Sequence, residues 1–384
     1  MLAPGSQSSL REANALRILE AVRTFGGITQ VELASATGLS PATVSNIVKQ
    51  LERDGIVATS ATTRSGRRAQ QVSLVPSSGL SLGVHITPRS LDLYLADASH
   101  DVQLARRLPL PEGHRHDTTL DRVALLVGEA SEDVGASMDD VVSIGVALPQ
   151  AMTARASAAS LTGWEDVDIV DTLQRRLGRP VALSFSADAA AVAESRYGAL
   201  RGSGTSLYVR VGDTVEASIL FDGRPHTGAF GPAGAIGHVQ VDPAGRICRC
   251  GARGCLDTVV SVDALADLLR LSHGPMTMRQ IVSGAKRGDA GCRQVLADTG
   301  AAIGPVIANS ATVLGPTRIM VGGELASTGE VFLSPIRDAL RARPLLSGDD
   351  LLVDGESLEH AEAMGASALA LDQLELPLSP GKGS

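Results

Sequence analysis

Near the start of the chain, apolar positions recur at helical spacing and are punctuated by turn residues. Leu16, Leu19, Val22 and Phe25 mark a first helix over Arg11 to Thr24, and Gly26-Gly27 ends it. Thr29-Gln30-Val31-Glu32 reads as a capping box, in which the threonine hydroxyl accepts from an early helical N–H while the glutamate reaches back to the cap. It predicts a short second helix through about Ala36. Thr37-Gly38-Leu39 then makes a turn in which Gly38 tolerates a positive φ, and Ser40-Pro41 sets an N-cap residue before a proline at the first helical position. In the third helix that follows, Val44, Ile47, Val48 and Leu51 form the core face, and Thr43, Ser45, Asn46, Lys49 and Gln50 point away from it. After Asp54-Gly55 an alternating run from Ile56-Val57 leads to Arg64-Ser65-Gly66-Arg67-Arg68 and returns through Gln71 to Leu74, the pattern of a β-hairpin with a basic tip.

Pro76 to Gly79 makes a short linker, after which the pattern changes. Leu80 to Ile86 and Leu91 to Leu95 read as paired strands, Leu120 to Val134 as an amphipathic helix and Val141 to Val146 as a buried strand. The order then repeats. Leu207 to Val211 and Ala217 to Phe221 are strands, Val262 to Leu271 and Gly291 to Val313 helices, and Arg318 to Val321 a strand ending in Gly322-Gly323. Two rounds of hairpin followed by αβ units predict a two-lobed α/β domain over residues 80–384 with a cleft between the lobes, behind an N-terminal unit of residues 1–75.

Composition agrees with two or three domains in a globular chain: 384 residues, 44% hydrophobic and 20% charged. No run approaches the ~20 apolar residues of a membrane span, so no membrane partner is expected. Met1 to Ser9 lacks the basic and then apolar order of a signal peptide, and a cytoplasmic protein is the expectation. Charge is uneven. Residues 1–75 carry eight Lys or Arg against five Asp or Glu, leaving 26 against 37 elsewhere within a net charge of -8. Affinity for phosphates therefore belongs to the N-terminal unit, and the acidic remainder keeps the chain off random nucleic acid.

The third helix then gains a purpose. Two short helices around a glycine turn are by themselves equally a helical hairpin, and arginines at a hairpin tip are equally a solvated turn. Together with a polar, non-acidic outer face on Thr43, Ser45, Asn46, Lys49 and Gln50, they read as a winged helix-turn-helix for double-stranded operator DNA, with Arg64, Arg67 and Arg68 at the wing tip facing phosphate or the minor groove.

Three of the four cysteines lie between Cys248 and Cys255, too close for a disulfide scaffold in a reducing compartment. With His238 ten residues upstream, Cys248, Cys250 and Cys255 supply the four nitrogen and sulfur ligands that zinc favours, and a full protein shell makes such a zinc structural. Cys292, alone on a helix, reads as packing.

The string Gly237-His238, nine residues, then Cys248-Arg249-Cys250-Gly251-Ala252-Arg253-Gly254-Cys255 resembles the signature of the ROK family (repressors, open reading frames and sugar kinases). Leu161-Thr162-Gly163-Trp164, Ala189 to Glu194 with Tyr197-Gly198, and Ile319 to Gly323 are similar to further family landmarks in the right order, so the resemblance covers nearly the whole chain. It implies an actin-like ATPase fold in two lobes, a structural zinc and, for members with a winged helix, a sugar-responsive repressor that is a homodimer or homotetramer.

The chain departs from the family's kinases where they do chemistry. Their first phosphate turn, Asp-x-Gly-Gly-Thr, corresponds to His85-Ile86-Thr87-Pro88-Arg89, and Pro88 has no N–H to offer a phosphate. The second phosphate turn reads Gly212 to Ser218, where Glu216 is expected to repel phosphate. The kinases' Glu-Asn-Asp string, whose Asp is the base, corresponds to Ser184-Phe185-Ser186; Asp188, half a helical turn on, is a poor substitute. Among the residues the resemblance assigns to a sugar effector, Ser160 replaces an asparagine, Ala235 a glutamate and Asp257 a longer glutamate, while His238 is intact. The expectation is a DNA-binding regulator and not an enzyme. The competing readings are a regulator without an effector, its cleft kept as a dimerisation scaffold, and an active sugar kinase, which would need the lost base and both turns.

Overall fold

The structure is a computed structural model that describes residues 7–64, 67–75, 79–97, 100–111, 113–150, 164, 167–229, 231–346, 351–353 and 357–374. The N-terminal unit comprises helices α1 (Gln7–Phe25), α2 (Gln30–Thr37) and α3 (Pro41–Arg53) and a sheet of β1 (Gly27–Thr29), β2 (Val57–Arg64) and β3 (Arg67–Leu74) in the order β1-β3-β2. The capping box is present: Thr29 N–H donates to Glu32 at 2.9 Å and Glu32 N–H to the Thr29 hydroxyl at 3.3 Å. Gly38 caps α2 at φ 70, and the Ser40 hydroxyl accepts from Thr43 N–H ahead of Pro41. The buried set of α1 is Ile18, Leu19 and Val22, whereas Leu16 is 37% exposed. Strict three-residue spacing drifts about 60° per step around a helix, so a Leu16–Leu19–Val22–Phe25 line leaves the core face, and alternate three- and four-residue steps are what stay on it. β1 escaped the sequence reading because it is only three residues long; it pairs Ile28 with Val72 on the wing.

The first lobe is a sheet in the order β6-β5-β4-β7-β8, made of β4 (Leu80–Ile86), β5 (Ser90–Asp97), β6 (Val102–Pro109), β7 (Val141–Leu148) and β8 (Val181–Phe185). β4, β5 and β6 pair antiparallel, and β7 and β8 add in parallel. Helices α4 (His116–Asp133) and α5 (Ile169–Leu177) and the fully buried Trp164 cover one face, through Leu120, Val123, Val127, Ile169 and Leu173. The second lobe repeats the scheme. β9 (Thr205–Val211) and β10 (Val215–Phe221) form a hairpin, β11 (Arg224–Pro225) extends its edge, a small β12 (Thr227–Gly228) and β13 (Gly231–Pro232) pair follows, and β14 (Arg318–Gly322) joins β9 in parallel. Helices α7 (Asp257–Val260), α8 (Val262–His273), α9 (Met278–Lys286), α10 (Ala290–Leu314) and α11 (Glu330–Arg341) build its core.

Two further helices, α6 (Ser186–Tyr197) and α12 (Ala361–Asp372), pack on one another between the sheets. Their approach is closer than side chains allow. A methyl group on Gly365 would stand 1.7 Å from the Ala189 carbonyl oxygen, and α12 meets the first sheet where Gly83 and Gly145 leave room for the Ala363 and Ala366 carbonyls. α6 contacts strands of both lobes, so the pair lies at the junction between them.

Candidate functional site

The metal loop folds as a small knuckle after a single helical turn at Ile236–His238. Antiparallel bridges join Gln240 to Cys255 and Ile247 to Arg253, Cys248 N–H donates to Ala252 O at 2.7 Å and Leu256 N–H to Val239 O at 2.9 Å. The motif glycines have separate jobs. Gly251 and Gly254 turn at φ 89 and 71, and a Cβ on Gly237 would meet Asp257 Oδ1 and Val215 O, each at 2.5 Å. His238, Cys248, Cys250 and Cys255 converge with all ligand atoms within 4.8 Å of one another. His238 Nδ1 is 3.6 Å from Cys248 Sγ, and Cys250 Sγ is 3.7 Å from Cys255 Sγ. Around a tetrahedral zinc with its usual bond lengths, those edges are about 3.6 and 3.8 Å, so this donor set fits the ion. Because Nδ1 faces the sulfurs, Nε2 of His238 is left for another partner, and the histidine is exposed.

Asp257 stands behind this histidine. It is buried, accepts from Val215 N–H at 2.9 Å, and burial raises its pKa above the usual carboxylate range. As placed, it supports the Gly237–His238 turn. Ser160 lies outside the described residues. A second group, His273, Asp289 and Cys292, brings ligand atoms equally close, but Asp289 is the N-cap of α10, accepting from Cys292 N–H at 2.8 Å, and His273 pairs with its carboxylate at 3.2 Å. That arrangement is a helix cap with Cys292 fully buried as packing.

In the cleft, the residues that depart from the kinase pattern have found partners in one another. Ser186 is 0% exposed, and its hydroxyl lies 2.9 Å from His85 Nε2. Asp92, next to His85, accepts from Arg107 Nε at 2.6 Å and lies 3.1 Å from His360 Nδ1. Burial pushes its pKa up, but hydrogen bonding with His360, His85 and Arg107 outweighs this and holds it well below the usual carboxylate range. The first turn spends its N–H groups internally: Arg89 and Ser90 N–H donate to the Thr87 hydroxyl and Thr87 N–H to Ser90 O. In the second turn, Gly212 N–H donates to Thr214 O and Val215 N–H to Asp257. The Arg89 side chain crosses from the first turn to pair with Asp213 in the second, and lies 3.5 Å from Asp263.

Glu216 does not project into the cleft as an exposed repelling charge. It is buried, accepts from Gln150 N–H at 2.8 Å and the Thr214 hydroxyl at 3.0 Å, and burial pushes its pKa up to about 7. Asp188, likewise, accepts from Ser218 at 2.6 Å, and burial lifts it to about 6. Periodicity had no means of finding Asp92, Arg107, Arg210, Glu362 and His360, which come from four separate elements or their caps; Arg210 Nε donates to Glu362 at 2.7 Å.

On the N-terminal unit, Asn46, Lys49 and Gln50 are exposed along α3, and Thr43 and Ser45 are half-buried. The Thr43 hydroxyl shares a 2.8 Å hydrogen bond with Ser40, and Gln50 donates to Asp54 while accepting from Arg53. Arg64 and Arg67 are the last paired residues of the wing and Arg68 is exposed. The side chains of Arg64 and Arg67 lie outside the described residues.

The chain thus divides into a winged helix, and two lobes of similar strand order that carry a His/Cys cluster able to hold a metal, and comparison with known proteins follows the same division. The ROK family model matches residues 81–373, and a winged helix-turn-helix DNA-binding model matches residues 11–58. The chain belongs to the ROK family. Among curated ROK relatives, the DNA-binding transcriptional dual regulator NagC of Escherichia coli K12 is 26% identical over 96% of each chain. A solved ROK family transcriptional regulator, a homolog of the E. coli Mlc protein, superposes with a TM-score of 0.71 at 23% identity over 95% of this chain and 96% of that one. A ROK glucokinase from Streptomyces griseus, solved with glucose and AMPPNP, has a TM-score of 0.64 at 26% identity and covers 76% of this chain and 99% of its own. The regulator covers the winged helix as well, whereas the kinase covers a share that corresponds to the two lobes. Among the described residues, no helix is long and apolar enough to cross a membrane.

Proposed function

We propose that this ROK protein is a cytoplasmic DNA-binding repressor whose kinase-like domain senses a carbohydrate or other small effector and transfers no phosphate. The observation that carries the reading is a winged helix joined to a kinase-like fold in which Ser186, the residue that the family resemblance sets at the base position, is buried and bonded to His85. A serine hydroxyl does not take a substrate proton at neutral pH as a carboxylate does, and this one is already committed to His85. The whole-length similarity to NagC and to the Mlc homolog supports the regulator reading.

In this reading Asn46, Lys49 and Gln50, flanked by Thr43 and Ser45, meet base edges in the major groove, and Arg64, Arg67 and Arg68 meet phosphates or the minor groove. His238, Cys248, Cys250 and Cys255 hold one zinc. Their four donors close its shell, so it pins the loop and orients His238 toward the effector and activates no water. Asp257 backs that histidine, and Ser160 is a further effector contact. A dimer or tetramer would present paired winged helices to a two-fold operator.

Selection of duplexes from a random pool by the full chain tests this, with removal of residues 1–75 expected to abolish binding. Retention of binding after that removal would overturn the reading, and turnover in a coupled ATP assay with sugars would restore the kinase alternative. A thermal-shift panel of sugars and phosphosugars decides between an effector-responsive protein and one that takes no effector. The Arg89–Asp213 pair across the cleft is what favours the second.

A further inference from the structure

The two domains meet through charged groups around a groove of about 1290 Å³. Arg23, on α1 of the winged helix, is 9% exposed; its Nη1 donates to the Leu374 carbonyl at 2.7 Å, just past α12, and its Nε is 3.8 Å from Asp372, the last residue of α12. Asp372 also pairs with Arg196, near the end of α6 and only 5% exposed. The Arg23 carbonyl is 2.9 Å from His100 Nε2, and the His100 ring also meets the hydroxyl of Tyr197, the residue after Arg196. Two outer pairs, Arg201 with Glu32 and Arg224 with Glu20, complete the seam. Nε of both Arg23 and Arg196 is buried without a hydrogen-bond partner, so the seam is not a fully satisfied core. Polar inter-domain interfaces resemble those of transient complexes, and relative motion of the domains is the ordinary expectation for them.

The other end of α6 lies in the cleft. Ser186, its first residue, bonds to His85 on the first lobe, and Asp188 bonds to Ser218 on the second. Twelve helical residues span about 18 Å. Gly365 lets α12 seat directly on the Ala189 backbone, so the two helices are in close backbone contact.

We propose that α6 and α12 act as a rod that carries the state of the cleft to the DNA-binding unit, with Asp372 as the coupling residue that holds Arg196 on the rod and Arg23 on the winged helix in one ion-pair cluster. This rests on the regulator reading and gives its regulation a path: a change at Ser186 or in the closure of the lobes shifts Asp372 and so loosens or tightens α1.

Hydrogen exchange on the full chain, without DNA or effector, tests it. Asp372→Asn should speed exchange of the α1 amides by about threefold or more, and adding Arg23→Gln should change little further, as expected of two members of one cluster. Ser186→Ala, some distance away, should also speed α1 exchange, and less so in the Asp372→Asn background. The coupling is overturned if α1 exchange is unchanged in Asp372→Asn, or if Ser186→Ala alters only the first turn of α6. If Ser186→Ala fails to fold, judged by the protection of α10, His85→Gln takes its place. Since no DNA enters the experiment, loss of the regulator reading would come from the duplex selection alone, and loss of the coupling from exchange alone.

Discussion

The Cys/His loop and the two hairpin turns of the cleft lie in one domain, yet different things hold their shape. The loop from Val239 to Leu256 has almost no apolar core; it brings His238, Cys248, Cys250 and Cys255 together and turns on Gly251 and Gly254 at positive φ. The cleft turns are ends of well-packed hairpins, whose strands stand on buried Val84, Ile86, Leu91, Val209, Val211 and Val215 whatever the turn residues do. At their tips polar groups bond to one another, His85 with Ser186, Arg89 with Asp213 and Glu216 with Gln150 N–H, while His85 Nδ1, Asp92 Oδ2 and Glu216 Oε2 are buried without a hydrogen-bond partner. A loop without an apolar core depends on its side-chain cluster and its turns, whereas a turn at the end of packed strands can spend its polar groups on internal bonds.

The sharpest way to break this contrast is at the loop. Cys250→Ser should reduce about one zinc per chain to none by elemental analysis and abolish a cooperative unfolding transition in calorimetry. An isolated segment of residues 1–75 should keep its helical circular dichroism when zinc is chelated, since its core of Ile18, Leu33, Val48 and Val72 contains no ligand. A native protein free of metal under reducing conditions would sink the structural role.

A smaller effect is expected where α6 and α12 meet. Gly365→Ala sets a methyl against the Ala189 carbonyl and should cost about 1–3 kcal/mol in urea unfolding, measured as a lower midpoint. A neutral result would mean that the two helices have slack between them.

Glu216 probes the cleft by pH. As an acid whose folded pKa is raised from 4.5 to about 7, it binds more protons in the native than in the unfolded state over that window. Its contribution is therefore favourable at low pH and is lost as pH rises from about 4.5 through 7. Glu216→Gln, which keeps an acceptor for Gln150 N–H, should raise Tm at pH 8 by roughly 2–6 °C and have little effect at pH 4. An equal shift at both pH values would mean that packing, not charge, is responsible.

The smallest expected effect is none. Ser186→Asp restores a carboxylate at the base position, but both turns have spent their N–H groups on Thr87, Ser90, Thr214 and Asp257, so ATP turnover in a coupled assay should remain at background. Measurable turnover would show the cleft to be one residue from a kinase.

By itself, the sequence determined the elements whose signals are local. The Thr29 capping box, the Gly38 turn and the Ser40-Pro41 start of α3 are complete within a dozen or so residues and have the partners that their chemistry requires, and the equally local cysteine spacing brings Cys248, Cys250 and Cys255 together with His238. The expectation that Ser186 stands in place of a kinase base is local in the same way, since it concerns a single side chain. Only the tertiary structure decided where the displaced polar groups went. Glu216 reads as a repelling charge until Gln150 N–H and the Thr214 hydroxyl surround it, and Arg23 and Asp372 are 349 positions apart in a chain that folds them to 3.8 Å. Local signals act through backbone geometry over one turn or one loop, whereas the charge state and partner of a buried polar group depend on which distant elements the folded core brings against it.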